Sequence, residues 1–523
     1  MRQDAISVAP QSTSLWVNIG ERLFTFPAVL VGLLALLVFF FARRDIADPD
    51  LWWHLRNVQH LLATHKFPSF DSYSYTAAGA SWLAHEWLSE IPFYVAFRVA
   101  GLTGVFVLVA ILSEAIMLGV FYLAYRISGD VKNAFLTSVL GVMLATVSIG
   151  ARTLLFGWLY LVVMLILLER FRAGEKARLW LIPPLFCLWV NTHGSWVMGM
   201  TIFGTIIACG FLEGSWGKVY AIRWSPSQLR RLLITASASV AALFINPFGY
   251  KLVFYPFDLI FRQKLNLASI QEWQSVDFHT ARGKLIIGLL LGMMLVSLVS
   301  RVRWRLDEVA LVCLALYTGL THIRLLFLGA IVLPGILAKH FKLMPPYDKE
   351  SDKPWMNAVV LGIVLFIMVG KVTSIAPWHN EVRESYPEAA VNHLKTHDAR
   401  GRIFHDYVWG GYLIWHAPQF PVFVDGRADI FERGGVLKDY LAAMSLDDTL
   451  ALFDRYKVDY VLVSPKSQVS YLLQHTPGWA IEYRDEVAIV FRRELARREI
   501  QDNATIGSLV VPATANIRRL ATP

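Results

Sequence analysis

The sequence predicts a polytopic α-helical membrane protein of about eleven spans, N-terminus inside, followed by a C-terminal soluble α/β domain. Three observations predict this. Of 523 residues, 55% are hydrophobic and only 17% charged, with a mean hydropathy of +0.47, which is too apolar for an ordinary soluble chain. Long apolar runs recur as far as Val372. Beyond about Ala376 the pattern changes to short apolar strands alternating with amphipathic helices.

In chain order, residues 1–22 form a polar cytoplasmic tail, and residues 23–375 a transmembrane domain. Its apolar runs are Phe24 to Ala42, Leu102 to Tyr125, Phe135 to Gly150, Leu154 to Leu168, Leu179 to Val190, Val197 to Leu212, Leu232 to Ile245, Leu285 to Val299, Val309 to Leu320, Leu325 to Leu337 and Ala358 to Val372. Several fall short of the roughly 20 residues of a perpendicular span, so their flanks belong to the interface. The first run is too long and too far from the N-terminus for a cleaved signal, and is expected to stay as a span. Cys187, Cys209 and Cys313 lie inside apolar runs and read as small buried hydrophobes.

The net charge of +9 is positional and gives no sign of nucleic-acid binding. Basic residues gather in alternate loops: Arg126 and Lys132; Arg170, Arg172, Lys176 and Arg178; Lys218, Arg223, Arg230 and Arg231; Arg301, Arg303 and Arg305; Lys339, Lys342, Lys349 and Lys353. The positive-inside rule makes these loops cytoplasmic, against the contrary vote of Arg43 and Arg44. A large loop over 43–90, a second over 246–284 and the C-terminal domain over 376–495 then lie outside.

The first outer loop holds two clusters of carboxylate, histidine and tryptophan, costly to desolvate beside a membrane. Asp48-Pro49-Asp50 reads as a helix start, leading into a surface helix over Leu51 to Thr64. Its plainer reading is an aromatic-belt anchor with capping aspartates. His85-Glu86 opens a second helix, with Gly101 and Gly104 separating it from the next span. Arg152 and the turn Asn191-Thr192-His193-Gly194 fall on the same side, where a histidine such as His193 is more often a hydrogen-bonded loop residue than a ligand. The second loop brings Glu272 and Trp273, then Asp277 and His279. Arg324 follows at an outer turn, where snorkelling and phosphate binding explain it equally.

In the C-terminal domain, Glu388 to Thr396 reads as a helix, Arg402 to His405 as a strand and Tyr407 to Trp415 as a glycine turn entering an apolar element. Pro421 to Arg427 reads as a strand ending in a charged turn, Asp447 to Tyr456 as a helix, Asp459 to Ser464 as a strand and Trp479 to Arg493 as a hairpin. Residues 496–523 form a polar tail, expected to be disordered.

An outward Asp-x-Asp with a basic residue within reach suits glycosyl transfer from a lipid-linked sugar. A carboxylate takes the acceptor proton while a cation or metal stabilises the departing phosphate. Asp48 and Asp50 could also hold a divalent metal, Mg or Mn, through oxygen ligands.

Asp50-Leu51-Trp52-Trp53-His54-Leu55, Trp82 to Ser89, Asn191 to Gly194, Asn246-Pro247-Phe248-Gly249, Trp409-Gly410-Gly411-Tyr412 and Val424-Asp425-Gly426-Arg427 together resemble the GT-C superfamily of membrane glycosyltransferases. The pattern is similar to a group of bacterial inner-membrane members with an outer C-terminal domain, over most of residues 20 to 495. The resemblance implies an inverting transfer from a polyprenyl-phosphate-linked donor to an unidentified acceptor hydroxyl (on a glycan, lipid or protein) at the outer face of the cell envelope. It makes Asp50 or Asp48 the catalytic base. His54, His85, Glu86, Arg152, His193, Glu272, Arg324, Trp409 and Tyr412 become candidate substrate contacts. Trp409 to Tyr412 lacks the consecutive tryptophans of the oligosaccharyltransferases it loosely resembles, and packing explains it better. Asp425 and Arg427 could likewise be a structural pair. Two rivals remain: a transporter or flippase of lipid-linked sugars, and a non-catalytic assembly protein for envelope polysaccharide.

Overall fold

The computed structural model describes residues 23–42, 48–269, 271–299, 302–340, 344–372 and 382–494. The N-terminal tail, Arg43, Arg44, Arg301, Lys342, the junction near Ala376 and the C-terminal tail lie outside the described residues. The chain divides into two compact units. One comprises residues 1–68 and 83–379; the other comprises residues 69–82 and 380–523.

The first unit is helical. Its helices are α1 (Phe26–Ala42), α2 (Pro49–Thr64), α3 (Trp87–Ser128), α4 (Val131–Ala145), α5 (Leu154–Arg172), α6 (Ile182–Thr192), α7 (Trp196–Cys209), α8 (Pro226–Ala242), α9 (Tyr250–Arg262), α10 (Lys264–Ser269), α11 (Ala281–Val299), α12 (Leu306–Thr321), α13 (Leu326–His340) and α14 (Pro354–Val372). Each of the eleven apolar runs falls on one of these helices. Among the described residues, five helical stretches are long and apolar enough to cross a membrane: Trp87–Ser128, Leu154–Arg172, Ala281–Val299, Ile323–His340 and Pro354–Lys371.

At the centre is α13, packed against α4, α3 and α12 and buried on nearly every side. Gly141 of α4 allows the close approach, because a Cβ there would lie 2.7 Å from the Ala330 carbonyl oxygen. Apolar helices associate through such small-residue contacts. α3 is broken at Ala100 and Gly101, where Gly101 takes φ 59°, a conformation that glycine adopts without strain. This matches the separation expected at Gly101.

α2 begins as its sequence dictates. The Asp48 carboxylate accepts the Asp50 N–H at 3.0 Å and Pro49 occupies the first turn. His65, at φ 54°, closes the helix by donating its N–H to the Leu61 carbonyl. The second loop is largely helical: α9 and α10 fill much of 246–284. At the far ends of α5, α12 and α13 a strand pair, β1 (Gly214–Trp216) and β2 (Val219–Ala221), is joined by β3 (Trp304–Arg305). There Arg172 and Arg305 pair with Asp307, and Lys339 and His340 with Glu308 at 2.7 and 3.3 Å.

The second unit contains α15 (Glu388–Thr396), β4 (Ile403–His405), α16 (Gly410–His416), α17 (Ala428–Arg433), α18 (Val436–Met444), α19 (Thr449–Tyr456), β5 (Tyr460–Val463), α20 (Gln468–Gln474), β6 (Trp479–Arg484) and β7 (Ile489–Arg493). The sheet order is β4-β5-β7-β6, with β4 and β5 parallel and the other pairs antiparallel. Phe404, Phe423, Tyr440 and Phe453 form its aromatic core.

Two features differ from the sequence expectation. Residues 69–82, assigned to the membrane domain's loop, belong to this unit. Pro421 to Arg427 forms no regular strand: it makes one bridge, Val422 to Ser74. The reason is competition for its backbone. Val422 exchanges hydrogen bonds with Tyr73 and Tyr75 at 3.0 and 3.2 Å, Thr76 donates to the Phe423 carbonyl at 2.5 Å, and the Phe423 N–H goes to the His405 ring at 3.1 Å.

Arg427 closes the arrangement. It is 3% exposed and binds Asp71 at 2.7 Å and Asp425 at 2.6 Å, between the rings of Tyr73 and Trp82, each centred 4.9 Å away. Removing one partner from such a buried group strands charge in a dry site and costs about 3–5 kcal/mol. Arg427→Ala in the full chain is therefore expected to raise amide hydrogen exchange across 69–82 and 421–427 by orders of magnitude. Unchanged protection there would remove the pair's structural role.

Candidate functional site

The candidate site residues of the first unit gather where α2 starts, α3 starts, α6 ends and α12 ends. Helix geometry places them: Asp50 and His54 are four residues apart on α2, and Glu86 and Glu90 four apart at the start of α3, so each pair shares a face.

Arg152 lies between two carboxylates. Its Nε donates to Asp48 at 2.8 Å, and its Nη1 is 2.5 Å from Glu272. The other Glu272 oxygen is 3.4 Å from Arg324, whose guanidinium lies over Trp273, 5.7 Å from the ring centre. The sequence thus had Asp48, Arg152, Glu272 and Arg324 as candidates, and the fold links all four.

Asp50 is part-buried and accepts the Trp53 indole N–H at 2.9 Å. Burial, followed by the like charge of Asp48, pushes its carboxyl up to about 6, against the pull of His54 and the Trp53 bond. The two aspartates therefore differ. Asp48 is occupied by the helix N-terminus and a guanidinium, whereas Asp50 accepts only the Trp53 indole among the side-chain hydrogen bonds described.

A second knot centres on Glu86, 9% exposed. His193 Nε2 lies 3.4 Å from it, and His54 Nε2 and His85 Nε2 each 3.6 Å. His193 Nδ1 accepts the Ser195 N–H at 2.9 Å, so its Nε2 carries the proton and points it at Glu86. A nitrogen so protonated cannot ligate a metal. Among the described residues no group of three or more His, Cys, Asp or Glu is arranged to hold one. Burial lowers the His193 imidazole to about 4 despite Glu86, which keeps it a neutral donor.

His54 is held from its other nitrogen. Nδ1 lies 2.8 Å from Glu90, which also accepts the Asn57 amide at 3.0 Å. Burial opposes the charged ring, but the Glu90 bond and the neighbouring carboxylates raise its pKa overall. His85 stacks on Tyr255 of α9, ring centres 4.3 Å apart.

Sequence reasoning overlooked Glu90 and Asn57. Asn57 was detectable as a polar residue on the buried face of an amphipathic helix, and Glu90 as an acid in the first turn of a long apolar one. Asn191 proves architectural: its carbonyl accepts the Trp87 indole at 2.9 Å and its amide donates to the Ile245 carbonyl at 3.0 Å. Trp409 and Tyr412 correct the expectation of a substrate contact. They are 4% and 2% exposed in the core of the second unit, where Trp409 donates to the Ser385 carbonyl at 2.9 Å and Tyr412 stacks on Tyr386. Asp277 and His279 form an exposed turn capped by a 2.8 Å bond.

Apolar helices with an ionised, tryptophan-rich cluster at their ends define a multi-pass membrane protein with a polar site. Comparisons with known proteins add a likeness of fold. No family model and no curated protein matches the sequence. Among solved structures the chain is similar to ArnT from Cupriavidus metallidurans bound to undecaprenyl phosphate, at 13% identity and a TM-score of 0.48, covering 91% of this chain and 97% of that one. It is also similar to the apo state of the same protein, at 15% identity and a TM-score of 0.48, covering 89% and 97%. At these values the likeness gives this chain no activity, substrate or residue role.

Glu86 yields a direct test. Burial raises its carboxyl, but His85, His193, His54 and a Thr153 bond together lower it to about 2, from an ordinary 4.5. A carboxyl depressed on folding stabilises the fold above its unfolded pKa, and that contribution disappears as pH falls through the folded value. The shift is worth on the order of 3 kcal/mol. The unfolding midpoint in detergent is expected to drop between pH 4.5 and 2, and Glu86→Gln to flatten that drop. An equal drop in both proteins would refute the assignment.

Proposed function

We propose that the protein is an inverting glycosyltransferase of GT-C type, moving a sugar from a polyprenyl-phosphate-linked donor to an acceptor hydroxyl at the outer face of a bacterial inner membrane. The single observation that carries the reading is the chain of charges beside Asp50: its neighbour Asp48 binds Arg152, and Arg152 shares Glu272 with Arg324. Under this reading the eleven apolar runs are spans, the basic loops face the cytoplasm, and the site and the C-terminal domain face outward.

In the proposed reaction the acceptor oxygen attacks the anomeric carbon from the face opposite the phosphate. Asp50 takes the hydroxyl proton as the new C–O bond forms. The bond from the anomeric carbon to the phosphate oxygen breaks, that oxygen leaves with the phosphate, and Arg152 and Arg324 stabilise the charge that develops on it. A base near pKa 6 is mostly ionised at neutral pH yet basic enough to share the proton in the transition state. Trp53 fixes the carboxylate, and Asp48 holds Arg152.

The expected Mg or Mn at Asp48 and Asp50 meets an obstacle in the pairing of Asp48 with Arg152. A cation there would have to displace a guanidinium. In this reading Arg152 takes that electrostatic role, and transfer survives EDTA. Loss of transfer on chelation, restored by Mg or Mn, would return the aspartates to a metal.

Asp50→Asn is expected to lower the transfer rate by about a hundredfold or more while donor binding persists. In the wild type, kcat/KM is expected to fall as pH drops below about 6, where Asp50 protonates. The assay is transfer of radiolabelled sugar from polyprenyl-phosphate donors to membrane acceptors by purified protein. Equal rates for both proteins would remove Asp50 as the base.

A further inference from the structure

Glu272 makes an unusual pair of contacts for a loop residue. It sits on a single helical turn, Gln271–Trp273, and gives one oxygen to Arg152 at 2.5 Å and the other to Arg324 at 3.4 Å. One carboxylate spanning two guanidiniums is the arrangement in which a phosphate group is bound. The side chains of Arg152, Glu272 and Arg324 are 24, 26 and 28% exposed, so all three are accessible from solvent. Arg427 in the second unit, sealed at 1% side-chain exposure, shows what a purely structural pairing looks like in this chain.

Charge counting gives the contact a direction. Arg152 and Arg324 supply two positive charges, Asp48 and Glu272 two negative ones. A donor phosphodiester carries one negative charge. If it joined the group with Glu272 in place, the group would become net negative and three anions would share two guanidiniums. If Glu272 withdraws, the phosphate replaces its charge one for one and the balance is kept.

We propose that Glu272 is an internal stand-in for the donor phosphate, releasing Arg152 and Arg324 when the lipid-linked phosphate binds and reclaiming them when the spent carrier leaves. The proposal rests on the glycosyltransferase reading above. It makes Glu272 a determinant of donor affinity and of product release, in addition to any part in ordering the loop.

The chemistry of the reaction gives such a group a use. Transfer breaks the bond between the anomeric carbon and the phosphate oxygen, so a phosphodiester with one charge becomes a phosphomonoester with a charge of about −1.5 to −2 at neutral pH. Two arginines hold the product more strongly than the donor. A site that binds its product better than its substrate turns over slowly. A tethered carboxylate, always present at high effective concentration, competes with that product.

The test is binding of a radiolabelled polyprenyl monophosphate to detergent-purified protein, together with single- and multiple-turnover transfer. Glu272→Gln keeps the shape and removes the charge. If the carboxylate occupies the arginines about nine-tenths of the time, its removal tightens apparent binding about tenfold. Single-turnover transfer is expected to persist while multiple-turnover rate falls. Glu272→Asp, which restores the charge, is expected to return affinity toward the wild type, and Glu272→Ala provides a second neutral side chain should the glutamine variant fold poorly. Equal or weaker binding by folded neutral variants, with the wild type binding normally, would overturn the stand-in and leave the glycosyltransferase reading intact. If the wild type binds no polyprenyl phosphate, or binds it equally after Arg152→Gln and Arg324→Gln, the arginines are not a phosphate site and both readings fall.

Discussion

Arg152 is the interaction on which the charged face of the first unit depends. It precedes α5, and through Asp48 and Glu272 it ties the start of α2 to the turn after α10. Without it, the Asp48 carboxylate would keep only the Asp50 N–H beside the like charge of Asp50. Three neighbouring carboxylates next to an apolar helix bundle repel one another, and a cation between them offsets that repulsion. Asp48 is held by this guanidinium, while the Asp50 carboxyl is raised by its own burial and by the charge of Asp48.

The histidine knot solves a related problem with a different chemistry. Glu86 is nearly buried, and among the described residues no lysine or arginine is found among its ion-pair partners. Three imidazoles serve instead, one of them fixed as a neutral donor by the Ser195 N–H. An imidazole can be buried in its neutral form, which an arginine cannot, and its charge depends on pH. The two halves of the site therefore differ: a permanent ion-pair chain through Arg152, and a cluster whose charge varies with proton activity.

What the sequence made legible follows from the range of the interactions involved. Asp48 and Pro49 could be read as a helix start because capping is settled within four residues. The break at Gly101 and the hairpin over Trp479 to Arg493 were equally local. The helix over Glu388 to Thr396 was readable from its own amphipathic pattern. Pro421 to Arg427 was read as a strand because its alternation is strand-like, but its backbone partners lie near Tyr73 and Tyr75, some 350 residues away. Nothing local marks that pairing. The candidate site was legible as an inventory of residue types. The specific partnerships, Arg152 with Glu272 and His54 with Glu90, are tertiary and needed the fold. Trp409 and Tyr412 drew notice by their composition, yet their burial assigns them to packing.

The placement of residues 69–82 in the second unit bears on how the protein is made. Asp71 leaves the ribosome 356 residues ahead of its buried partner Arg427. At roughly 5–20 residues per second, about 20–70 s elapse between the two. Throughout that interval the nascent chain carries an unfinished segment whose carboxylate, tyrosine and tryptophan have no second unit to join, while the helices on either side of it are already being inserted. A chain truncated anywhere before Arg427 would keep this segment permanently without its partner. The completeness of the C-terminal unit is thus felt by a segment that lies, in sequence, near the N-terminal end of the protein.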